Sequence, residues 1–399
     1  MFVDELCGSW MEHPFWRTRF LLKEAVDVHR IVNSGIQEVW IDTGKGGDVD
    51  PEVARVATRA QAEAEIERKL QSADADPAPD AQTTPLEEEL ERAHALYARA
   101  RPAVLTMFNE ARMGQVLGSE AAAALVDDIY QSVQRHSGAM INLSRLKRAD
   151  DYTYMHSVAV CGLMIALARQ LRLNEEQTRL AGMAGLMHDI GKSMVPDRIL
   201  RKPDKLSDEE WVKMKSHPQV GYDILCKGSF SEVVKDAVLH HHEKSDGTGY
   251  PHRLAARAIG LCARMASVCD VYDAVTSNRP YKAGWPPAEA VRKMAEWGPG
   301  HFDDRVFKAF VKTVGIYPVG TLVRLECDRL AVVVEHNEAA LLKPTVRIFY
   351  SIPSQSRIPP EIVDLSGPGC SHRIVGREDA SMWGLTRIDD LWTGAPVRL

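Results

Sequence analysis

The residues of this chain best suited to chemistry are histidines and aspartates. Among its 14 histidines, His156 lies in an apolar helical run, and His188 and Asp189 adjoin each other after Leu180–Met187. His217 precedes Pro218, His240, His241 and His242 are consecutive, and Asp270 follows Cys269 in a later helical run. Taken singly, a helical histidine is commonly a half-buried polar side chain, and a buried aspartate is commonly paired with an arginine or a helix end. Together they suit a two-metal centre. An aspartate can offer one oxygen to each of two ions about 3.5–4 Å apart, while imidazoles supply neutral nitrogens around them. A His/Asp set with no cysteine points to iron, manganese or another borderline-to-hard ion, not to a Cys-rich structural zinc site.

A polar, glycine-rich loop follows the densest histidine run: His241-His-Glu-Lys-Ser-Asp-Gly-Thr-Gly-Tyr-Pro251. Gly247 and Gly249 permit unusual dihedrals and Pro251 ends any helix, so a tight connection explains the loop by itself. Its position after the histidines suggests a further role, a close approach of backbone to a metal pocket. Thr43-Gly-Lys-Gly-Gly47 lacks the spacing of a phosphate-binding P-loop and reads as a plain turn.

The elements that must position these residues are mainly helical. Residues 1–66 read as a small α+β unit, with a strand end at Phe20, a helix over Ala25–Ser34 and a strand over Glu38–Asp42. Residues 67–85, rich in Ala, Asp, Pro and Thr, read as a flexible linker. Residues 86–145 read as a helical connecting arm, with runs over Leu86–Met113 and Glu120–Arg145. Residues 146–316 read as a helical core. Its helices cover Tyr152–Leu171, a run to Met187 opened by a capping box at Asn174–Gln177, and one opened by Ser207–Glu210 that carries Trp211, Met214 and His217. Ser231 caps a helix ending at the histidine run, and further helices span Ala256–Thr276, Pro287–Trp297 and Asp303–Val314. Residues 317–399 are a β-rich extension, with strands at Gly320–Leu325, Leu330–Val334 and Thr345–Tyr350.

Composition narrows the function classes. With 399 residues, 45% apolar and 26% charged, the chain suits a globular protein of two or three domains. A net charge of −6 argues against a broadly basic DNA-binding surface. No run reaches the roughly 18 apolar residues of a membrane span, and the opening MFVDELCGSW is not that of a secretory signal. Seven scattered cysteines without a CxxC pair suit free thiols. A cytoplasmic protein without membrane insertion is expected.

His188-Asp189 with Gly191-Lys192, followed by His241-His242-Glu243, Asp246-Gly247 and Gly249-Tyr250-Pro251, resembles the HD-GYP family, bacterial phosphodiesterases of the HD superfamily that open cyclic di-GMP. The resemblance covers about residues 145–315. It implies a helical HD core in which His156, His188, Asp189 and Asp270 hold one divalent ion, and Asp189, His217, His241 and His242 hold a second. His240 is then an outer or packing residue. A glutamate that binds a third metal in some members is replaced here by Tyr152, beside Asp150 and Asp151, which favours two ions, with iron or manganese expected.

The family's chemistry implies attack of a metal-activated water on phosphorus, in line with the departing ribose 3′ oxygen. Asp189 and Lys192 are the implied catalytic residues. Lys192, Arg279 and Lys282 are implied phosphate contacts, and Tyr250 a pocket or guanine contact. Gly300-His-Phe-Asp-Asp304 is similar to a stretch near the family's domain end, with Asp304 in place of a proline. Products would be the linear dinucleotide pGpG and, after a second cut, GMP. The motifs leave open another cyclic dinucleotide, such as cyclic GMP-AMP, or a catalytically weak receptor. Implied partners are a GGDEF-domain or other signalling protein, and a second copy of the chain. Residues 1–130 resemble a poorly characterised domain that often precedes this catalytic type, and the opening reads like the interior of that domain's first segment, as if Met1 were assigned a few residues late.

Overall fold

A computed structural model of the chain describes residues 1–7, 19–34, 36, 38–49, 57–58, 61, 84, 86–143, 152–202, 204–277, 284–297, 300–337, 339–386 and 388–392. Asp150, Asp151, Arg279 and Lys282, and all of the expected linker except Thr84, lie outside them. The chain divides into two units, Met1–Ser72 with Arg292–Pro299, and Ala73–Val291 with Gly300–Leu399.

The smaller unit carries an antiparallel sheet of three strands, β1 (Phe2–Cys7), β2 (Phe20–Leu21) and β3 (Glu38–Ile41), in the order β2-β1-β3. Helix α1 (Ala25–Asn33) connects β2 to β3. Strand β1 was not expected, because its apolar residues Val3 and Leu6 are three apart and do not alternate. A register irregularity between Val3 and Glu5 accommodates that spacing. Both side chains are buried with Ile31 and Ile36. The Thr43–Gly46 segment is the expected turn, with Asp42 accepting from the Gly44 amide at 3.0 Å.

The larger unit is helical up to Val314. It comprises α2 (Leu86–Arg112), α3 (Ser119–Arg135), α4 (Ser137–Leu143), α5 (Tyr152–Gln170), α6 (Glu175–Met187), α7 (Asp197–Leu200), α8 (Asp208–Lys215), α9 (His217–Cys226), α10 (Glu232–His240), α11 (Leu261–Thr276), α12 (Pro287–Glu296, which straddles the division) and α13 (Asp304–Val314). Every residue from Val158 to Ala168 of α5 is buried, which accounts for its near-continuous apolar run. Gly185 of α6 lets that helix approach closely: a Cβ there would lie 3.0 Å from the Cys161 backbone of α5.

Both expected capping boxes are formed, at Asn174/Gln177 and Ser207/Glu210, and Ser231 caps α10. Three boundaries differ from expectation. The run from Glu120 breaks at His136, which is extended. The helix expected to carry Trp211 through His217 ends at Lys215, and α9 starts afresh with Pro218 in its first turn, where a missing N–H costs nothing. The run from Ala256 is a short 3-10 turn, Ala256–Ala258, separated by Ile259-Gly260 from α11.

The C-terminal extension is a five-stranded antiparallel sheet, β4 (Leu322–Leu325), β5 (Arg329–Glu335), β6 (Thr345–Ser351), β7 (Ser356–Asp364) and β8 (Ile374–Arg377), ordered β7-β6-β5-β4-β8. Strands β7 and β8 were not anticipated. Pro359 and Pro360 argue against a central strand, but β7 lies at the sheet edge, where a missing N–H is tolerated. Among the described residues no helix is long and apolar enough to cross a membrane.

Candidate metal centre

Five short stretches of chain converge in the larger unit. His156 comes from the first half of α5, and His188 is the C-cap of α6. Asp189 precedes a 3-10 turn, Ile190–Met194, that carries Lys192. His217 is the first residue of α9, His241 the C-cap of α10 with His242 next, and Asp270 lies in α11. The seven expected ligands therefore meet at the ends and inner faces of five helices. Gly191 makes the junction between the 3-10 turn and α9 possible, since a Cβ on it would overlap the His217 carbonyl oxygen and lie 2.6 Å from the Gly221 amide nitrogen.

Three overlapping groups have donor atoms within 4.8 Å of one another: His156, His188 and Asp270; His217, His241 and His242; and, between them, His188, Asp189 and His241. Asp189 has one oxygen toward each side. Its Oδ2 is 3.4 Å from His188 Nε2 and 3.7 Å from His156 Nε2, while its Oδ1 is 3.3 Å from His217 Nε2 and 3.9 Å from His241 Nε2. Asp270 has its Oδ1 2.9 Å from His156 Nε2 and its Oδ2 3.9 Å from His242 Nδ1.

The proton positions follow from the outer partners. His188, His217 and His241 each set Nδ1 against the carbonyl oxygen three residues earlier, of Gly185, Met214 and Val238, at 2.8, 2.7 and 2.8 Å. A carbonyl only accepts, so Nδ1 carries the proton and Nε2 faces the centre. Burial, joined by repulsion from Lys192, lowers the His217 pKa to about 3, and burial lowers that of His242 to about 4. His241 is likewise well below 6.5, by burial and then by His242. These three rings are neutral and present lone pairs. His217 Nε2 and His241 Nε2 stand 3.2 Å apart. Lone pair facing lone pair at that distance is unfavourable unless a cation lies between them.

The carboxylates make the same demand. Asp189 is 1% exposed, so its charge must be neutralised by neighbours rather than water. Burial opposes its ionisation, but His188, Lys192 and His217 hold its pKa well below 3.8. Its Oδ1 is buried and accepts no hydrogen bond among the described residues. Burial works against a charge on His188, yet Asp189 and Asp270 raise its pKa to about 10. Two cations in these His/Asp clusters would satisfy the orphaned oxygen, the facing nitrogens and the buried carboxylates at once. The residues fit a binuclear metal site.

Of the remaining expected residues, Lys192 and Tyr250 border this centre. Lys192 Nζ is 2.5 Å from Asp189 Oδ2. The Tyr250 ring stacks on His242, centroids 4.7 Å apart, and its amide donates to the His242 carbonyl at 3.2 Å. The glycine loop thus folds back onto His242. A Cβ on Gly249 would lie 2.5 Å from Glu243 Cα, and Gly247 has φ +79°. The loop is also held from outside, with Asp246 N donating to Gly300 O at 2.8 Å. Asp303 caps α13 and pairs with Arg264 at 2.6 Å.

Two residues, Asp273 and Glu243, have parts that the sequence did not suggest. Asp273 Oδ2 is 2.6 Å from His156 Nδ1. Its spacing from Asp270, one helical turn, was the available signal. Buried Glu243 accepts from the amides of His252 and Leu254 at 2.6 and 3.0 Å and so fixes the loop's return. His240 bonds Asp236 at 2.8 Å and His252 at 2.9 Å, apart from the metal clusters.

A family model described as an HD domain matches residues 129–306, and one described as a domain of unknown function (DUF3391) matches residues 1–122. The chain is 53% identical over 397 residues to Cyclic di-GMP phosphodiesterase PA4108 of Pseudomonas aeruginosa, covering 99% of this chain and 93% of that one. It is 40% identical over 179 residues to Cyclic di-GMP phosphodiesterase response regulator RpfG of Xanthomonas campestris, covering 43% of this chain and 47% of that one. A third relative, 3'3'-cGAMP-specific phosphodiesterase 1 of Vibrio cholerae, is 34% identical over 175 residues, covering 44% of this chain and 41% of that one. With its motifs in order, its helical core built around the His/Asp clusters, and a relative of this identity along nearly its whole length, the chain belongs to the HD-GYP family of HD-superfamily phosphodiesterases.

Proposed function

We propose that this protein is a two-metal phosphodiesterase that hydrolyses cyclic di-GMP. The observation that carries the two-metal reading is the carboxylate of Asp189, whose two oxygens face two separate histidine groups. His156, His188, Asp189 and Asp270 hold one ion, and Asp189, His217, His241 and His242 the other, with iron or manganese the ions of choice for this donor set. Bound there, two divalent ions lower the pKa of a water and offset charge on the phosphoryl oxygens. The chain's own contribution is placement. Backbone carbonyls orient three imidazoles, Asp273 orients a fourth, and burial keeps His217, His241 and His242 unprotonated. Lys192 supplies a positive charge for a phosphate oxygen, and Tyr250 borders the substrate. Arg279 and Lys282 are assigned the phosphate contacts that the family motif implies.

The relative named for cyclic di-GMP, matched over 99% of this chain, favours that substrate; the products are then pGpG and, after a second cut, GMP. The relative named for 3'3'-cGAMP, matched over 44% of this chain, supports a second reading, cleavage of cyclic GMP-AMP. In this reading residues 1–66 form an N-terminal domain, 67–85 a linker, 86–145 a connecting arm, 146–316 the catalytic domain and 317–399 an extension. The protein acts in the cytoplasm, with a GGDEF-domain protein or a second copy as partner. Anaerobic purification with metal quantification, then chromatography of products from several cyclic dinucleotides, tests the proposal. Two ions per chain and faster turnover of cyclic di-GMP are expected. Faster cleavage of cyclic GMP-AMP would transfer the assignment, and dinucleotide binding without turnover would make the protein a receptor.

A further inference from the structure

We propose that Lys215 is a substrate-binding residue that holds the second phosphate of the cyclic dinucleotide, the one not being cleaved. This rests on the assignment of a cyclic dinucleotide as substrate. Such a molecule carries two phosphodiester anions, and only one at a time can lie at the metals. The other keeps its charge and needs a cation beside the centre.

Helix α8 presents one. Trp211 and Lys215 are four residues apart and share a face of this helix, which the capping box at Ser207 and Glu210 opens. The Lys215 ammonium lies 5.5 Å from the Trp211 ring centroid and 5.3 Å from that of Tyr250. Tyr250 in turn stacks on His242. A contiguous path therefore runs from the second histidine group through Tyr250 to an exposed ammonium, one side chain removed from the metal ligands. Ser216 alone separates Lys215 from His217, which fixes the same relation along the chain.

The charge on Lys215 is also available. Lys192 is paired with Asp189 and Lys202 with Glu210, each at 2.5 Å, whereas Lys215 has no carboxylate partner among the described residues. Its neighbours are two aromatic rings. These attract the cation through their faces and restrict a long, flexible side chain without neutralising it. A lysine ordered in this way loses less freedom when it binds an anion.

The test uses the full-length, metal-loaded enzyme, with metal content measured for each variant. Lys215→Ala should raise KM for cyclic di-GMP about tenfold, the loss of one charge-assisted contact, with kcat changed less than about twofold. Lys215→Arg should keep KM within about threefold of wild type, because the charge is retained. Trp211→Ala should raise KM less than Lys215→Ala, since it frees the ammonium without removing it. An unchanged KM in Lys215→Ala would overturn the proposal, as would a loss confined to kcat or an arginine variant as impaired as the alanine one. A wild-type enzyme that turns over no cyclic di-GMP would instead sink the substrate assignment on which the proposal rests.

Discussion

Asp273 Oδ2 lies 2.6 Å from His156 Nδ1, on the side of the ring away from the metal cluster. An ionised carboxylate only accepts, so the bond places the proton on Nδ1 and turns Nε2 toward Asp270 Oδ1, 2.9 Å away. His156 thereby differs from His188, His217 and His241, which use backbone carbonyls for the same purpose. Asp273→Ala should weaken metal binding at the His156 group by about 10- to 100-fold, the usual effect of removing an orienting partner. Metal titration of the variant checks this, and excess metal should restore most of its turnover. Unaltered affinity would remove Asp273 from the centre's support.

Asp189→Ala should eliminate both bound ions and nearly all turnover, because one carboxylate serves both groups. His217→Ala should instead leave the His156 group loaded. Metal quantification by mass spectrometry separates the two patterns. A full complement in the Asp189 variant would end its bridging role.

Gly191→Ala tests how the 3-10 turn holds Asp189 against α9. The added Cβ would overlap His217 O and crowd Gly221 N, which are backbone atoms that cannot rotate away. A destabilisation of about 1–3 kcal/mol is expected, the usual range for overpacking. The melting temperature should fall, and the metal content with it, since Asp189 and His217 are displaced relative to each other. A variant with wild-type melting and metal content would contradict this geometry.

His301 provides a pH test away from the metal ligands. Burial, reinforced by Lys244 and opposed by Asp246, lowers its pKa from 6.5 to about 3. The unfolded chain therefore binds this proton at a higher pH than the folded one. The stability tied to the neutral ring is complete above 6.5 and declines as pH falls toward 3. Thermal melts across that range should show a shallower acid decline for His301→Phe than for wild type at matched metal loading. Parallel declines would refute the assignment.

Much of the centre was legible in the residue string because metal chemistry restricts residue type. Adjacent His188-Asp189, the His240–His242 run and the loop through Tyr250 are local features, and the capping signals at Asn174, Ser207 and Ser231 are satisfied within one turn. Tertiary structure alone decided which side of Asp189 faces which histidines, because that depends on the close approach of α5 to α6 at Gly185 and of the 3-10 turn to α9 at Gly191. It also decided the part played by Asp273, whose partner His156 is 117 positions away, and the place of β7, whose two prolines are acceptable because it lies at the edge of the sheet. Local propensity acts over a few residues, whereas ligand geometry and strand order arise from packing between segments distant in the chain.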